Sequence, residues 1–149
     1  MALPEKIGVI TDLHANFEAL KVTLNWLHKH GVEQIICLGD ISGYGPDPLA
    51  SVDLVAEKCE WALLGNHDFA WGAAELLAFS RDPYGRVLAS NTNYAGTDPD
   101  GFGGVVWTAL QVGCLRVGLF GMVSRPWNER NEQYDGDFNA DQRSTIVAQ

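Results

Sequence analysis

Hydrophobic residues along this chain fall into short runs bounded by polar clusters. Three of the runs, Ile7–Thr11, Gln34–Leu38 and Trp61–Leu64, lack strict alternation, which is the pattern of strands covered on both faces. Between the first two, Phe17, Leu20, Leu24 and Leu27 recur every three or four residues and predict a helix over about 16–30. Asn16 can cap its start and Gly31 can close its end. Asp47-Pro48 marks a second helix start, with proline at the first helical position. That helix runs to about Lys58 and turns Leu49, Val52, Val55 and Ala56 inward. The order strand–helix–strand–helix–strand predicts parallel neighbours joined by right-handed crossovers.

Beyond Asp68 the pattern changes. Ala70–Phe79 is rich in alanine and leucine and predicts a third helix, weakened by Gly72. Ser90–Gly104 is rich in Asn, Thr, Asp, Pro and Gly and reads as a long loop. Val105–Val112 and Leu115–Phe120 are β-prone runs around Gly113-Cys114, which predicts an antiparallel hairpin. From Ser124 onward the chain is polar and acidic, and little stable structure is expected there. With no repeat and no linker, residues 1–149 read as one domain.

Composition narrows the functional classes. The 149 residues are 46% hydrophobic and 19% charged, as in ordinary globular proteins. Asp plus Glu number 19 against 10 Lys plus Arg, a formal charge of −9. A stable nucleic-acid partner would need a basic stripe, so the balance argues against one. A phosphate substrate stays open, because bound divalent ions reverse the local field. Cys37, Cys59 and Cys114 form no CxxC pair, which argues against a zinc ribbon or redox motif. Cys37 reads as a small core residue, and free thiols suit a cytoplasmic location. Met1–Lys6 carries no apolar signal region, and no stretch approaches the ~20 apolar residues of a membrane span. Nothing in the pattern sets an oligomeric state.

The candidate chemistry sits where the three apolar runs end. Asp12-Leu13-His14, Gly39-Asp40 and Gly65-Asn66-His67-Asp68 each follow one run. If the strands are parallel neighbours, these groups share one edge of one sheet, where α/β proteins place their sites. Asp12 and His14, two residues apart on extended backbone, point the same way. Carboxylates, imidazoles and an amide oxygen together suit hard or borderline divalent ions. Taken singly, each could be a loop-tip polar residue: Asp12 could cap a helix and Asn66 could shape a turn. Taken together, Asp12 beside Asp40 would repel by about 4 kcal/mol at ~4 Å and an effective dielectric near ~20, unless a cation or a proton intervened. His28 and His30 are also two apart, but on a helix, where they diverge and read as surface residues. Gly43-Tyr44-Gly45-Pro46 reads as a turn beside the site. There is no GxxxxGK[ST] loop and no GxSxG elbow.

With these residues in view, the chain resembles the calcineurin-like metallophosphoesterases, above all their small bacterial and archaeal phosphodiesterase branch. The family's DxH, GDxxxYGPDP-like and GNH[DE] segments stand here as Asp12-Leu13-His14, Gly39 to Pro48, and Gly65-Asn66-His67-Asp68. The resemblance is strong over residues 6–71. It implies an α/β fold, a partial four-layer α/β/β/α sandwich with a parallel βαβαβ first half and an incomplete second half. It implies that Asp12, His14 and Asp40 bind a first metal ion, that Asp40 bridges to a second, and that Asn66 binds the second. It places His67 beside the leaving group, as proton donor or as a stabiliser of charge.

The second half departs from the family. There, a strand ends in His-Gly and a later one in GHxH, and those histidines complete both metal shells. Here Leu119-Phe120 is followed by Gly121-Met122, and the four histidines are His14, His28, His30 and His67. The expected activity is hydrolysis of a small phosphomonoester or phosphodiester by a hydroxide activated between two ions, which Mn²⁺, Fe, Zn²⁺, Ni²⁺ or Mg²⁺ could supply. The competing reading is an impaired fragment or paralogue that binds metal weakly or serves as an interaction module.

Overall fold

The protein is described from a computed structural model, which describes residues 4–68, 87–88, 92–94, 107–121 and 138–140. Strands β1 (Ile7–Ile10), β2 (Gln34–Cys37) and β3 (Trp61–Leu63) alternate with helices α1 (Phe17–Lys29) and α2 (Pro48–Lys58). A further strand, β4 (Val87–Leu88), pairs with β3, and the sheet order is β1-β2-β3-β4. All three pairings are parallel, and helices α1 and α2 supply the crossovers from β1 to β2 and from β2 to β3.

Pleating decides which residues face the helices. The register aligns Ile10 with Cys37, Cys37 with Ala62, and Ala62 with Val87, so these four share a face. They form one buried cluster with Leu20 and Leu24 of α1 and Val52 and Val55 of α2. Gly8, on the same face, leaves room for α1: a Cβ there would meet Leu27 and Val32 at 3.1 and 3.0 Å. On the opposite face Ile36 and Leu88 are buried, yet Val9 is 53% exposed. Expecting the first strand to be covered on both faces was therefore wrong for β1. Among the described residues it lies at the edge of the sheet, and Val9 on its outer face is exposed.

Both helices begin close to where the sequence puts them. Asn16 caps α1 by accepting a hydrogen bond from the Ala19 amide at 3.1 Å. Gly31 follows its end with a φ of +72°, a conformation that glycine adopts without strain. Asp47 precedes α2 but makes no side-chain cap, so Pro48, with its preset φ, carries that start. Leu49 is 72% exposed, against the expectation that it turns inward.

Among the described residues, two antiparallel pairs of strands follow the parallel sheet. β6 (Thr108–Val112) and β7 (Leu115–Leu119) form the expected antiparallel hairpin, with Val112 opposite Leu115 across Gly113-Cys114. Gly113 turns with a φ of +54° and donates its amide to the Pro4 carbonyl. β5 (Thr92–Tyr94) pairs antiparallel with β8 (Phe138–Ala140). One sequence expectation fails at this ladder: residues 92–94, inside the stretch that reads as a long loop, form a strand. Residues 138–140 pair with them, in a segment expected to have little stable structure of its own. Pairing partners far apart in sequence supplied what local pattern did not show. The helix expected over Ala70–Phe79 lies outside the described residues. Among the described residues, no helix is long and apolar enough to cross a membrane.

Candidate metal centre

Parallel pairing brings the C-terminal ends of β1, β2 and β3 to one edge, and the loops beyond them continue the ladder. The Asp12 amide donates to the Gly39 carbonyl, His14 to Asp40, and Ala15 to Ile41, at 2.8–3.1 Å. These bonds zip the first two loops together past the strand ends. Gly65 brings the third loop in. A Cβ there would collide with the Asp40 carboxylate and amide, so only glycine lets the third loop sit against the second. Gly39 meets it with a φ of +102°, a backbone state that favours glycine.

Three side chains converge on this edge. His14, Asp40 and His67 each offer a ligand atom, and these atoms lie within 4.8 Å of one another. All three are half-buried. One Asp40 oxygen accepts the His67 amide at 2.9 Å, leaving the other free for a ligand. His14 Nδ1 lies 3.3 Å from the Ser42 carbonyl. A carbonyl only accepts, so the tautomer with its proton on Nδ1 makes this contact a hydrogen bond and keeps the Nε2 lone pair for a cation. Two imidazole nitrogens and a carboxylate oxygen suit a borderline divalent cation.

The remaining sequence candidates are placed differently. Asp12 stands at the rim, its side chain 63% exposed, with one oxygen 3.7 Å from His14 Nε2 and the other accepting from the Thr11 hydroxyl at 2.7 Å. Asn66 is half-buried in the turn between Gly65 and His67. His28 and His30 are exposed at the end of α1, away from the centre, and the His30 ring stacks on Trp26 at 3.9 Å.

Beneath the triad lies Asp68, a side chain to which the sequence motif gave no role. It is 1% exposed. Its Oδ1 accepts from the Ser42 amide at 2.9 Å and the Ser42 hydroxyl at 3.2 Å, and its Oδ2 from the Gly65 amide at 2.9 Å. Asp68 thus ties the second loop to the third. Burial pushes its carboxyl above the usual carboxylate range, while the Ser42 and Gly65 amides pull the other way. Burial likewise pushes the Cys37 and Cys59 thiols up to about 12, so both stay protonated and inert near neutral pH. Ser42 carried no sequence signal at all, since it is the backbone carbonyl that orients His14.

Comparison with known proteins follows the same outline. The sequence profile of the family described as calcineurin-like phosphoesterase matches residues 5–142. An uncharacterised protein of Methanocaldococcus jannaschii is 40% identical over 81 residues, 54% of this chain and 33% of that protein. The fold is similar to that of an NAD nucleotidase from Haemophilus influenzae, at a TM-score of 0.65 and 16% identity, over 92% of this chain and 29% of that one. It is also similar to a 5'-nucleotidase precursor from Thermus thermophilus, at a TM-score of 0.61 and 17% identity, over 90% of this chain and 31% of that one. The chain therefore spans about a third of the length of these proteins.

Proposed function

The chain belongs to the calcineurin-like phosphoesterases, and from that premise we propose that it is a metal-dependent phosphohydrolase acting on a small phosphate ester. The observation that carries this reading is the mutual approach of His14, Asp40 and His67 at the ends of three adjacent parallel strands. When bound, divalent ions supply Lewis acidity toward a phosphoryl oxygen and acidify water. Asp12, His14 and Asp40 would hold the first ion, and Asp40 together with the neutral oxygen of Asn66 would hold a second. His67 stands by to protonate the departing alkoxide. The free thiols of Cys37, Cys59 and Cys114 fit a cytoplasmic setting.

One observation favours a second reading. The His67 ligand atom lies within 4.8 Å of those of Asp40 and His14, so His67 can serve as a third ligand to a single ion. It would then have no lone pair for proton transfer, and the chain would bind metal without turnover. Metal titration with Mn²⁺, together with hydrolysis of an aryl phosphodiester, separates the two. About two ions per chain, with turnover lost but metal retained in His67→Asn, supports the enzyme. One ion or none, without turnover, supports the alternative, and a single ion lost in His67→Asn marks His67 as its ligand. Asp40→Asn abolishes metal binding and turnover under the first reading; a variant that kept both would remove the assignment.

A further inference from the structure

Tyr44 is 84% exposed, yet its ring is held in place. The centroid lies 5.0 Å from that of His14 and 4.9 Å from that of His67, and the two imidazoles are 5.1 Å apart. These spacings fall within those of attractive aromatic pairs. Two corners of this triangle of rings belong to the metal triad. The Tyr44 backbone has a φ of +53°, and Gly43 and Gly45 flank it. A glycine or asparagine would adopt that conformation with less strain. Core packing does not explain the tyrosine, because most of its surface faces water. The position holds a flat aromatic face in solvent, fixed against the side chains that would hold a phosphate-bearing ion.

We propose that Tyr44 is the platform on which a ring of the substrate stacks, so that the centre selects phosphate esters whose alcohol carries a flat aromatic group. The proposal rests on the phosphoesterase reading above and names its substrate class. A phosphate at the triad places its nearest substituent beside the imidazoles, and the Tyr44 ring touches both of them. Stacking on a tyrosine face tolerates many rings, because every flat ring presents a π-face. The selection is therefore for a ring, whatever its hydrogen-bonding edge. Tyr44 acts on specificity and makes or breaks no bond.

The test is calorimetric binding to the Mn²⁺-loaded full chain, which needs no turnover. Phenyl phosphate is compared with ethyl phosphate, and adenosine 5'-monophosphate with ribose 5-phosphate. The first pair reports a ring attached directly to the phosphate, the second a ring reached across a sugar. In at least one pair the ring-bearing member binds about tenfold tighter, within the range of single-ring stacking. Tyr44→Phe keeps that advantage. Tyr44→Ala removes it, and so does Tyr44→Gly, which suits the positive φ and keeps the loop. No ring advantage in either pair, or an advantage that survives in either ringless variant, overturns the proposal. Metal uptake and turnover are read separately. A chain that takes up Mn²⁺ and hydrolyses esters without ring preference keeps the phosphoesterase reading and loses this one. A chain that takes up no Mn²⁺ loses both.

Discussion

Asp68 carries no proposed chemistry, yet its replacement should disturb the metal centre more than most residues that touch nothing reactive. Its carboxylate accepts the Ser42 and Gly65 amides at 2.9 Å each, and it is 1% exposed. Asp68→Ala leaves both amides without that acceptor, and an unpaired buried donor costs about 1–3 kcal/mol. Water entering the vacated space recovers part of this, so the expected loss is about 2–5 kcal/mol. That is a large fraction of a domain stability of about 5–15 kcal/mol. The damage should reach the metal as well. Ser42 is the shared node: its amide binds Asp68, and its carbonyl faces His14 Nδ1 at 3.3 Å. Loosening a group that orients a ligand imidazole typically costs about 10–100-fold in metal affinity. Urea unfolding at pH 7 measures the first effect and Mn²⁺ calorimetry the second. A loss below about 0.5 kcal/mol with unchanged affinity would refute the clamp. Asp68→Asn adds a test of sign. Burial raises the Asp68 carboxyl, so its stabilising contribution is complete below the unfolded value of about 3.9 and is lost as pH rises through the folded value. Asparagine does not titrate. The stability gap between wild type and Asp68→Asn is therefore widest in acid and narrows as pH climbs; a gap that widened would mean the carboxylate is the favoured form.

Three further outcomes follow from other parts of the structure. Gly65→Ala forces a Cβ onto the Asp40 carboxylate and amide; backbone cannot swing aside, so a loss of about 1–3 kcal/mol in urea unfolding, with weaker Mn²⁺ binding, is expected. Asn16→Ala removes the acceptor of the Ala19 amide, and should cost about 1 kcal/mol with Mn²⁺ affinity unchanged, since the cap lies on the helix and not among the ligands. Mn²⁺ at about a hundredfold its dissociation constant should add about 2.7 kcal/mol to the unfolding free energy, reversed by a chelator; no shift in the thermal midpoint would mean no specific site.

The first half of the fold was legible because its signals were local and redundant. Leu20 and Leu24 recur with the helical period, Asn16 and Gly31 bracket the same segment, and the flanking apolar runs are the right length for strands. Of the expected set, Asp12, His14, Asp40, Asn66 and His67, the approach of His14, Asp40 and His67 at one edge follows from the parallel topology alone. What topology could not supply was side-chain direction. Asp12 does meet His14, at 3.7 Å, but stands mostly in solvent, and both residues have positive φ, so the two-residue alternation of extended backbone is not what brings them together. The β5–β8 pairing was illegible for a different reason. Its partners are more than forty residues apart, for example Thr92 and Ala140, and neither segment carries an alternating pattern long enough to signal a strand. Asp68 had a sequence signal, its place in the Gly65–Asp68 segment, but burial is what gives it a role.

The positive-φ residues also show how the first two loops of the centre are held. Among the described residues, Asp12, His14, Ala15, Asp40 and Tyr44 are the non-glycine residues with positive φ, and all lie between the end of β1 and the start of α2. Each such residue costs about 1–2 kcal/mol against ordinary backbone, and such strain persists only where the surroundings fix it. Here the surroundings are specific. Asp12, His14 and Ala15 donate to the carbonyls of Gly39, Asp40 and Ile41, and the Gly45 and Asp47 amides return to those of His14 and Ala15. The two loops therefore hold each other in conformations that neither would keep alone. Aspartate and histidine tolerate the left-handed region better than most residues, so the ligand types suit the backbone as well as the ion. Alanine and tyrosine have no such excuse. Ala15 is fully buried, and its carbonyl takes the Asp47 amide ahead of α2, which gives it a structural reason. Tyr44 lacks one, and its ring is the part of this strained segment that faces outward.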